Sequence, residues 1–304
     1  MAQNYGSLAV RVLLQPLEEN ARLLFSKLGS ELSTAERHTR SMSPDATLEK
    51  VQVNTGRNQA PTGDGMITEE GKMLTALGAA LVGLLKVVSL LGLIFVTFGV
   101  QYVPVLLAVL PGKKWSSPVA VATLQWYCAY VLMLGVNGSL EAFVFATANQ
   151  SEVAQLTRAH VACSLLFASL CFPAMNCLGT AGIVAANCAT MMARSAYSGH
   201  VVHNFFQTRK ENVFQWRSVL PTMSVSVAFV VATLITAASE SARSAGRYSG
   251  NHNGDGSGLL RGAAVHVAVG ASAFLVVAGL TMQSERKAVA DLMRLARGDK
   301  AKAE

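Results

Sequence analysis

Residues 87–112 read VVSLLGLIFVTFGVQYVPVLLAVLPG, and this stretch holds no Asp, Glu, Lys or Arg. Three more stretches share that property: 115–140, 218–239 and 262–284. Between Arg158 and Arg209, Arg194 is the only residue of these four types. A helix that crosses a lipid bilayer needs roughly 20 apolar residues, so each of these stretches is long enough to span a membrane. The interval around Arg194 is long enough for two such helices, with a break at 173–179.

The composition agrees with this pattern. The chain is 51% hydrophobic, only 14% charged, and has a mean hydropathy of +0.37. Soluble domains average about 25% charged residues. The sequence therefore predicts an all-α polytopic membrane protein with about seven transmembrane helices, at about 5–28, 74–98, 120–147, 157–176, 180–203, 218–239 and 262–282.

These helices divide the chain into four parts. We predict a charged, Pro-kinked membrane helix at 1–28, a flexible cytosolic loop at 29–72, a six-helix membrane bundle at 73–283 and a basic tail at 284–304. The segment 240–258 is rich in Gly, Ser and Asn, so it cannot bury apolar surface and is expected to be disordered. The tail reads as an amphipathic helix on the anionic lipids of the cytosolic leaflet.

The distribution of Lys and Arg predicts the orientation. Seven helices place fourteen of these residues in loops and tails on one side and five on the other. By the positive-inside rule the C-terminus is cytosolic. Because the basic residues lie in loops and form no continuous face, the net charge of +7 does not indicate nucleic-acid binding. The sequence contains no nucleotide-binding, zinc or serine-hydrolase motif, so it predicts no enzyme, no cofactor and no metal site.

The first helix carries a charged stripe. Arg11, Gln15, Glu18 and Arg22 are spaced by four, three and four residues, which stacks them on one helical face. Pro16 removes a backbone donor from this region and is expected to kink the helix. Ionisable groups at membrane depth usually face a partner or a wet cavity. The stripe therefore favours a transport or lipid-headgroup path over a catalytic centre.

Lys86 lies at the centre of the predicted helix 74–98, where its ammonium group cannot easily reach the interface. Two interpretations remain open. Lys86 either binds an anion or pairs with a carboxylate, for which the candidates are Glu18, Glu19 and Glu141.

Two further pairs of polar residues lie within predicted helices. Asn137 and Glu141 are four residues apart, beside two glycines at 135 and 138 that allow close approach of a helix or a ligand. Asn187 and Arg194 are seven residues apart, again on one face. For Glu141 an ion pair and a ligand contact are equally compatible with the spacing. For Arg194 a functional anion contact and a structural role are equally open; a buried charge rarely stabilises a fold more than an apolar residue does, which argues for the anion contact.

Arg11, Lys86 and Arg194 together form a set of cations that suits a diphosphate headgroup, because a guanidinium matches phosphate oxygens bidentately. We therefore predict a headgroup cavity with the cations, Gln15 and Asn187 as binding residues. Its counter-charges and conformational partners are predicted to be Glu18, Glu19, Glu141 and Asn137.

Several motifs in order resemble one known family. They are Arg11-x-x-x-Gln15-Pro16-x-Glu18-Glu19 with Phe25 and Lys27; Asp45-Ala46-Thr47-Leu48 with Leu84-Leu85-Lys86; Tyr127-Cys128-x-Tyr130-Val131, Asn137-Gly138-x-x-Glu141-x-Phe143 and Glu152-Val153; and Gly179-x-x-Gly182-Ile183, Ala186-Asn187-Cys188 and Arg194. The chain resembles the Rft family of endoplasmic-reticulum oligosaccharide-lipid translocation proteins. These belong to the MOP superfamily, together with the MATE exporters and the MurJ flippases.

The resemblance implies a function in N-glycosylation. Family members are required for dolichol-diphosphate-linked Man5GlcNAc2 to move from the cytosolic to the lumenal leaflet of the endoplasmic-reticulum membrane. The superfamily fold implies two helical lobes around a central cavity, in which cations hold the diphosphate. The match covers the C-terminal lobe of that fold. We therefore expect the other lobe to be supplied in cis, or by a second copy in trans.

Two functions from different classes fit these observations. The first is a glycolipid translocator whose ligand is the dolichol-diphosphate oligosaccharide. The second is a non-transporting membrane scaffold that supports assembly of the lipid-linked oligosaccharide, or an inactive half-length fragment. An intramembrane transferase with Glu18 or Glu19 as base is disfavoured, because the sequence offers no nucleophile, metal motif or nucleotide-sugar site.

Overall fold

The structure is a computed structural model that describes residues 12, 14–41, 63–109, 117–209, 214–249, 256–287, 290 and 294. Within these ranges every regular element is helical. The elements in chain order are α1 (Gln15–Ser41), α2 (Gly63–Ile94), a π-helical segment (Phe95–Gly99), α3 (Val100–Val109), α4 (Pro118–Thr147), α5 (Gln150–Leu178), α6 (Ala181–Thr208), α7 (Trp216–Val219), α8 (Met223–Ser249) and α9 (Gly256–Ser284).

Five stretches of the described chain are long and apolar enough to cross a membrane: Glu70–Val109, Pro118–Thr147, Gln150–Leu178, Met223–Ala245 and Arg261–Ser284. The all-α polytopic fold predicted from the sequence is thereby confirmed. The other two predicted spans correspond to α1 and α6, which are helical but do not reach the same apolarity. That these two helices cross the bilayer stays a prediction.

The second predicted span is part of a much longer rod. The helix predicted at 74–98 begins at Gly63 and continues through the π-helical segment to Val109, because the uncharged run extends well past residue 98. Its stretch Glu70–Val109 alone holds 40 residues, or about 60 Å at 1.5 Å per residue. The hydrocarbon core is about 30 Å thick, so part of this rod extends beyond it.

The predicted flexible loop at 29–72 is wrong at both of its described ends. Residues 29–41 belong to α1 and residues 63–72 belong to α2, while 42–62 lie outside the described residues. Helix α1 extends here because it keeps an apolar face although its other faces are polar, and α2 leads into a buried apolar face that begins at Leu74. Leu32 on α1 and Leu74 and Leu77 on α2 are all buried in one core.

That core joins α1, α2, α4 and α6 at one end of the bundle. Phe25 packs edge-to-face on Phe143 with ring centroids 5.5 Å apart, and Phe143 in turn contacts Phe206 at 5.6 Å. Phe206 stacks on Phe214, which follows α6. Aromatic pairs of this kind stabilise by about 0.5–1.5 kcal/mol each beyond the burial of their area. They fix α1 against the bundle in the region where α1 carries its charges.

Glycines set the distances between neighbouring helices. A Cβ at Gly92 would lie 2.4 Å from Leu132 Cδ1, and one at Gly135 would lie 2.4 Å from Val88 Cγ1. The later residue of α2, Gly92, meets the earlier residue of α4, Leu132, and Val88 meets Gly135, so α2 and α4 are antiparallel. The close approach predicted for Gly135 is confirmed.

Other boundaries also differ from the prediction. Helix α5 begins at Gln150 instead of 157, because Asn149 and Glu152 form a capping box at its start. Helix α6 follows the left-handed Gly179, whose φ is 60°, so the break between α5 and α6 falls at the end of the predicted interval 173–179. Helix α8 begins at Met223 instead of 218.

The segment predicted to be disordered at 240–258 is largely helical. Residues 240–249 extend α8 and 256–258 begin α9, while 250–255 lie outside the described residues. The helix continues because Glu240 and Arg243 pair across one turn with both side chains largely buried. The basic tail predicted at 284–304 lies mostly outside the described residues.

Candidate functional site

The polar face of α1 borders a cavity of about 240 Å³ between α1, α2 and α4. Its lining residues are Leu14, which directly precedes α1, Gln15, Leu17 and Glu18 from α1, Val88 from α2, and Leu134, Gly135, Gly138 and Ser139 from α4. The Glu18 carboxylate lies over Gly138, where a Cβ would come within 3.1 Å of Oε2. The glycine predicted to allow close approach therefore seats an acidic side chain of α1.

The charges around this cavity pair locally along α1. Arg22 Nη2 donates to Glu18 Oε1 at 2.6 Å, and Gln15 Nε2 donates to Glu19 Oε1 at 3.1 Å. Both pairs are solvent-exposed in the structure, so they contribute little to stability. Arg11, the cation predicted to bind diphosphate here, lies outside the described residues.

Pro16 lies in the first turn of α1, two residues after the π-helical Leu14. Proline is tolerated in a first turn, because the missing N–H is one that a helix start leaves unbonded. Most residues before Leu14 lie outside the described part of the chain. The predicted kink at Pro16 therefore stays a prediction.

The second polar site joins α4, α5 and α6 at the Glu141 carboxylate. Arg194 Nη2 lies 2.8 Å from Glu141 Oε1 and 3.1 Å from Oε2, and Arg194 Nε donates to Oε1 at 3.1 Å. Asn137 Nδ2 donates to the same Oε1 at 2.9 Å, and His160 Nε2 lies 3.0 Å from it. Glu141 is 8% exposed. Of the two interpretations left open for Glu141, the structure shows the ion pair.

Of the two amides predicted for the site, only Asn137 contacts this carboxylate. The Asn137 Oδ1 atom is buried and has no hydrogen-bond partner within the described chain, so an oxygen acceptor remains unused beside the ion pair. Asn187 lies on α6 two turns before Arg194 and is half-buried. The structure thus brings Asn137, Glu141 and Arg194 together, with Asn187 further along the same helix.

Lys86 forms a third polar site with a residue that the sequence analysis did not select. Its Nζ lies 2.6 Å from Glu285 Oε2, while the backbone N–H of Thr222 donates to Glu285 Oε1 at 2.8 Å. The predicted pairing partners Glu18, Glu19 and Glu141 are therefore wrong for Lys86. The sequence does contain a signal for this pair: Lys86 directly precedes the uncharged run 87–112, and Glu285 directly follows the run 262–284.

The ion pair controls the charge state of Glu285. Burial raises the pKa of this carboxyl, but hydrogen bonds from the Lys86 ammonium and the Thr222 backbone N–H together outweigh burial and hold the pKa below its ordinary value. The Glu285 side chain is 2% exposed and that of Lys86 is 13% exposed. At neutral pH the site is therefore a buried pair of opposite charges that fastens the end of α9 to α2 and to the start of α8.

The described residues contain no group of three or more His, Cys, Asp or Glu side chains arranged to hold a metal ion. A fourth polar cluster, formed by Tyr102, Glu240, Arg243 and His266, was also absent from the predicted site. Its acid and base, Glu240 and Arg243, lie in the segment 240–258, whose composition predicts disorder and therefore no fixed site.

A helical bundle with five potential membrane spans and ion pairs buried between its helices is a polytopic membrane protein. The family model described as Rft protein matches residues 1–295, and the chain belongs to this family.

Curated relatives from distant organisms match the same region. The chain is 28% identical to the Man(5)GlcNAc(2)-PP-dolichol translocation protein RFT1 of Mus musculus over 241 residues, covering 79% of this chain and 38% of the relative. It is 26% identical to the protein of that name from Xenopus tropicalis over 288 residues, covering 94% and 45%. The chain thus spans less than half the length of these relatives. No solved structure matches the chain significantly.

Proposed function

We propose that this chain forms part of a translocator that moves dolichol-diphosphate-linked Man5GlcNAc2 from the cytosolic to the lumenal leaflet of the endoplasmic-reticulum membrane. The names of the relatives support this substrate, and the family membership supports the lobe of a larger helical assembly. The rest of the cavity would come from a further lobe in cis or from a second copy in trans. In this function the chain binds and carries a lipid and performs no catalysis.

The observation that carries the proposal is the state of Arg194. Its guanidinium is held bidentately by Glu141, in the geometry with which a guanidinium also binds phosphate oxygens. A diphosphate carries more negative charge than one carboxylate, so it would compete for Arg194 and release Glu141. The unused Asn137 Oδ1 could then accept from the sugar hydroxyls, while Asn137 Nδ2 and the nearby His160 would remain beside Glu141.

A separate feature supports the lipid part of the substrate. Helices α8 and α9 enclose an open groove of about 730 Å³ whose lining is almost entirely Val, Ala, Ile and Leu, with serines at 224 and 272. An apolar chain such as dolichol gains free energy when it leaves water for such a surface, and in a membrane this groove offers packing contacts along its length. The groove and the ion pairs lie on the same bundle, so one glycolipid molecule could contact both, with its dolichol chain in the groove and its diphosphate at the cations.

The scaffold function remains the second candidate, and one observation favours it. Lys86 and Arg194 are both neutralised by carboxylates of the chain, so neither cation requires a ligand for its stability. On this hypothesis the ion pairs hold the bundle together, while partners of the lipid-oligosaccharide pathway bind elsewhere. The C-terminus is cytosolic in both proposals, as the positive-inside rule predicts.

The test is the double variant Glu141→Gln with Arg194→Gln, introduced into the native gene. Glutamine has the shape of glutamate and places a neutral polar amide where arginine stood, so the double variant removes both charges and neither charge remains unpaired. The translocator proposal expects the Man5GlcNAc2 lipid to accumulate at unchanged protein level. The scaffold proposal expects no accumulation. Arg158→Gln, an exposed arginine on α5, is the matched control and should behave as wild type.

A further inference from the structure

Three helices meet around a histidine that no water reaches. His266 on α9 is 0% exposed, and its ring stacks on Tyr102 of α3 with centroids 4.3 Å apart and planes 12° apart. The Tyr102 hydroxyl donates to the His266 carbonyl at 2.6 Å. Gly270 lies one turn along α9, where a Cβ would sit 1.9 Å from the Tyr102 hydroxyl oxygen. This glycine is therefore required for the tyrosine to occupy its position.

The two ring nitrogens of His266 have different neighbours. Nε2 faces the backbone carbonyl of Gln101 at 3.4 Å and Glu240 Oε2 at 3.5 Å, which both only accept hydrogen bonds. Nε2 therefore carries a hydrogen in the neutral ring and in the imidazolium alike. Nδ1 lies 2.9 Å from the Ser239 hydroxyl, which can either donate or accept. The junction consequently accommodates a second ring proton by rotation of one hydroxyl group.

The charged and titratable groups that face His266 come from α3 and α8. Within the described chain they are Tyr102 from α3 and Glu240 and Arg243 from α8. Arg243 binds both oxygens of Glu240, with Nε 2.6 Å from Oε2, so its charge is directed at the carboxylate and not at the ring. An imidazolium would face a carboxylate, a carbonyl and the π face of a tyrosine, and each of these attracts a cation.

We propose that this junction of α3, α8 and α9 is a proton-binding site, in which the protonated His266 ties the three helices together more firmly than the neutral ring does. The packing of α8 and α9 makes this site one of the few places where they are fastened to the rest of the bundle. Helices α8 and α9 pack mainly on each other. Among the described residues, polar contacts join them to the rod of α2, the π-helical segment and α3 at three places. These are the Lys86–Glu285 pair, the Thr97–Thr233 hydrogen bond and this junction. Proton binding would thus set how tightly the pair of helices docks on the rod.

The experiment compares backbone hydrogen exchange of residues 256–284 in the purified full chain at about pH 8 and about pH 5, the range in which histidine side chains change charge. Rates are corrected for the intrinsic pH dependence of exchange. The expected result is a protection of α9 that rises at low pH by a factor on the order of ten, the size of one charge-assisted hydrogen bond. In His266→Gln, which cannot bind the proton, the corrected protection should be the same at both pH values.

The matched control is His200→Gln, an exposed histidine on α6 that contacts Asn204, and it should keep the wild-type response. Equal corrected protection at the two pH values in the wild-type chain would overturn the proposal without any variant. A pH response that persists unchanged in His266→Gln would overturn it as well. Neither measurement involves the glycolipid, so the outcome is independent of the proposed translocation.

Discussion

Replacing Lys86 with methionine would leave the Glu285 carboxylate buried without a counter-charge. Methionine has nearly the length of lysine and fills the same space, so the substitution changes charge more than packing. In the wild type the carboxylate has two partners, the Lys86 ammonium at 2.6 Å and the Thr222 backbone N–H at 2.8 Å. After the substitution only the N–H remains among these two.

The structure allows the size of the effect to be worked out. The Glu285 side chain is 2% exposed and that of Lys86 is 13% exposed, so solvent screens the pair poorly. Removing one partner of a buried ion pair costs about 3–5 kcal/mol, because the remaining charge stays desolvated. The double variant Lys86→Met with Glu285→Met leaves no charge. It should lose only about 1 kcal/mol relative to wild type, for the lost hydrogen bond at Thr222.

The free energy of unfolding in mixed detergent micelles, followed by tryptophan fluorescence, distinguishes these cases. The expected order of stability is wild type, then the double variant, then Lys86→Met. The order is the decisive result, since simple loss of packing would make the double variant the least stable of the three. A Lys86→Met variant within about 1 kcal/mol of wild type, the usual range of exposed pairs, would refute the buried-pair reasoning.

The pH dependence of the same measurement follows from the lowered pKa of Glu285. A carboxyl whose pKa is lower in the folded state than in the unfolded state stabilises the fold above its ordinary pKa, here 4.5, and this contribution is lost as the pH falls through the lower folded-state value. The difference between wild type and Lys86→Met should therefore shrink as the pH falls, because protonation relieves the unpaired carboxylate of the variant while the wild type loses its ion pair. A difference that grows as the pH falls would contradict the assignment.

Two further predictions concern the packing and capping of α5 and α6. Gly182→Ala should lower the free energy of unfolding by about 1–3 kcal/mol, because the new Cβ would lie 2.1 Å from the backbone oxygen of Ala174. Thermal unfolding measures this loss, with Gly279→Ala as the control, since a Cβ at Gly279 meets nothing within 4 Å. Asn149→Ala removes the side chain that caps the Glu152 N–H and should cost about 1 kcal/mol, visible as faster hydrogen exchange in the first turn of α5.

The sequence predicted the membrane-spanning helices well because their signal is local. An uncharged run such as 262–284 is long enough to span a bilayer in any context, and the structure has a helix there. The extent of the helices outside the bilayer was underestimated. Residues 29–41 and 240–249 are polar on most sides, and their helical state depends on partners such as Phe25, Leu32 and the Glu240–Arg243 pair, which the run itself does not reveal.

The candidate site was predicted in part for a related reason. Asn137 and Glu141 lie four residues apart, so their hydrogen bond follows from helical spacing alone. Arg194 reaches Glu141 from another helix, and that contact depends on how α4 and α6 pack. Of the two interpretations left open for Lys86, the structure shows pairing with a carboxylate. The partner, Glu285, is 199 positions away in the chain, and only the packing of α9 against α2 brings the two together.

The chain directions place both ion pairs at the same end of the spans. Lys86 directly precedes the uncharged run of its rod and Glu285 directly follows that of α9, so each charge lies next to the end of an uncharged run. Glu141 directly follows the run 115–140, and it is near the end of α4 just as Glu285 is at the end of α9. Since α2 and α4 are antiparallel, the start of the α2 span and the end of the α4 span lie on one side.

This placement changes the physical basis of the proposed headgroup site. Lys86 was expected at the centre of a span, where holding a charge is most costly. We propose that the membrane boundary falls at the start of the run 87–112, where the cost of holding a charge is lower and an ion pair is more easily kept. A diphosphate is itself confined to the boundary, because its charge cannot enter the hydrocarbon while its lipid chain cannot leave it. Cations at the boundary on the predicted cytosolic side would therefore meet the headgroup in the leaflet where translocation begins, and the ion pairs would hold them ready until it arrives.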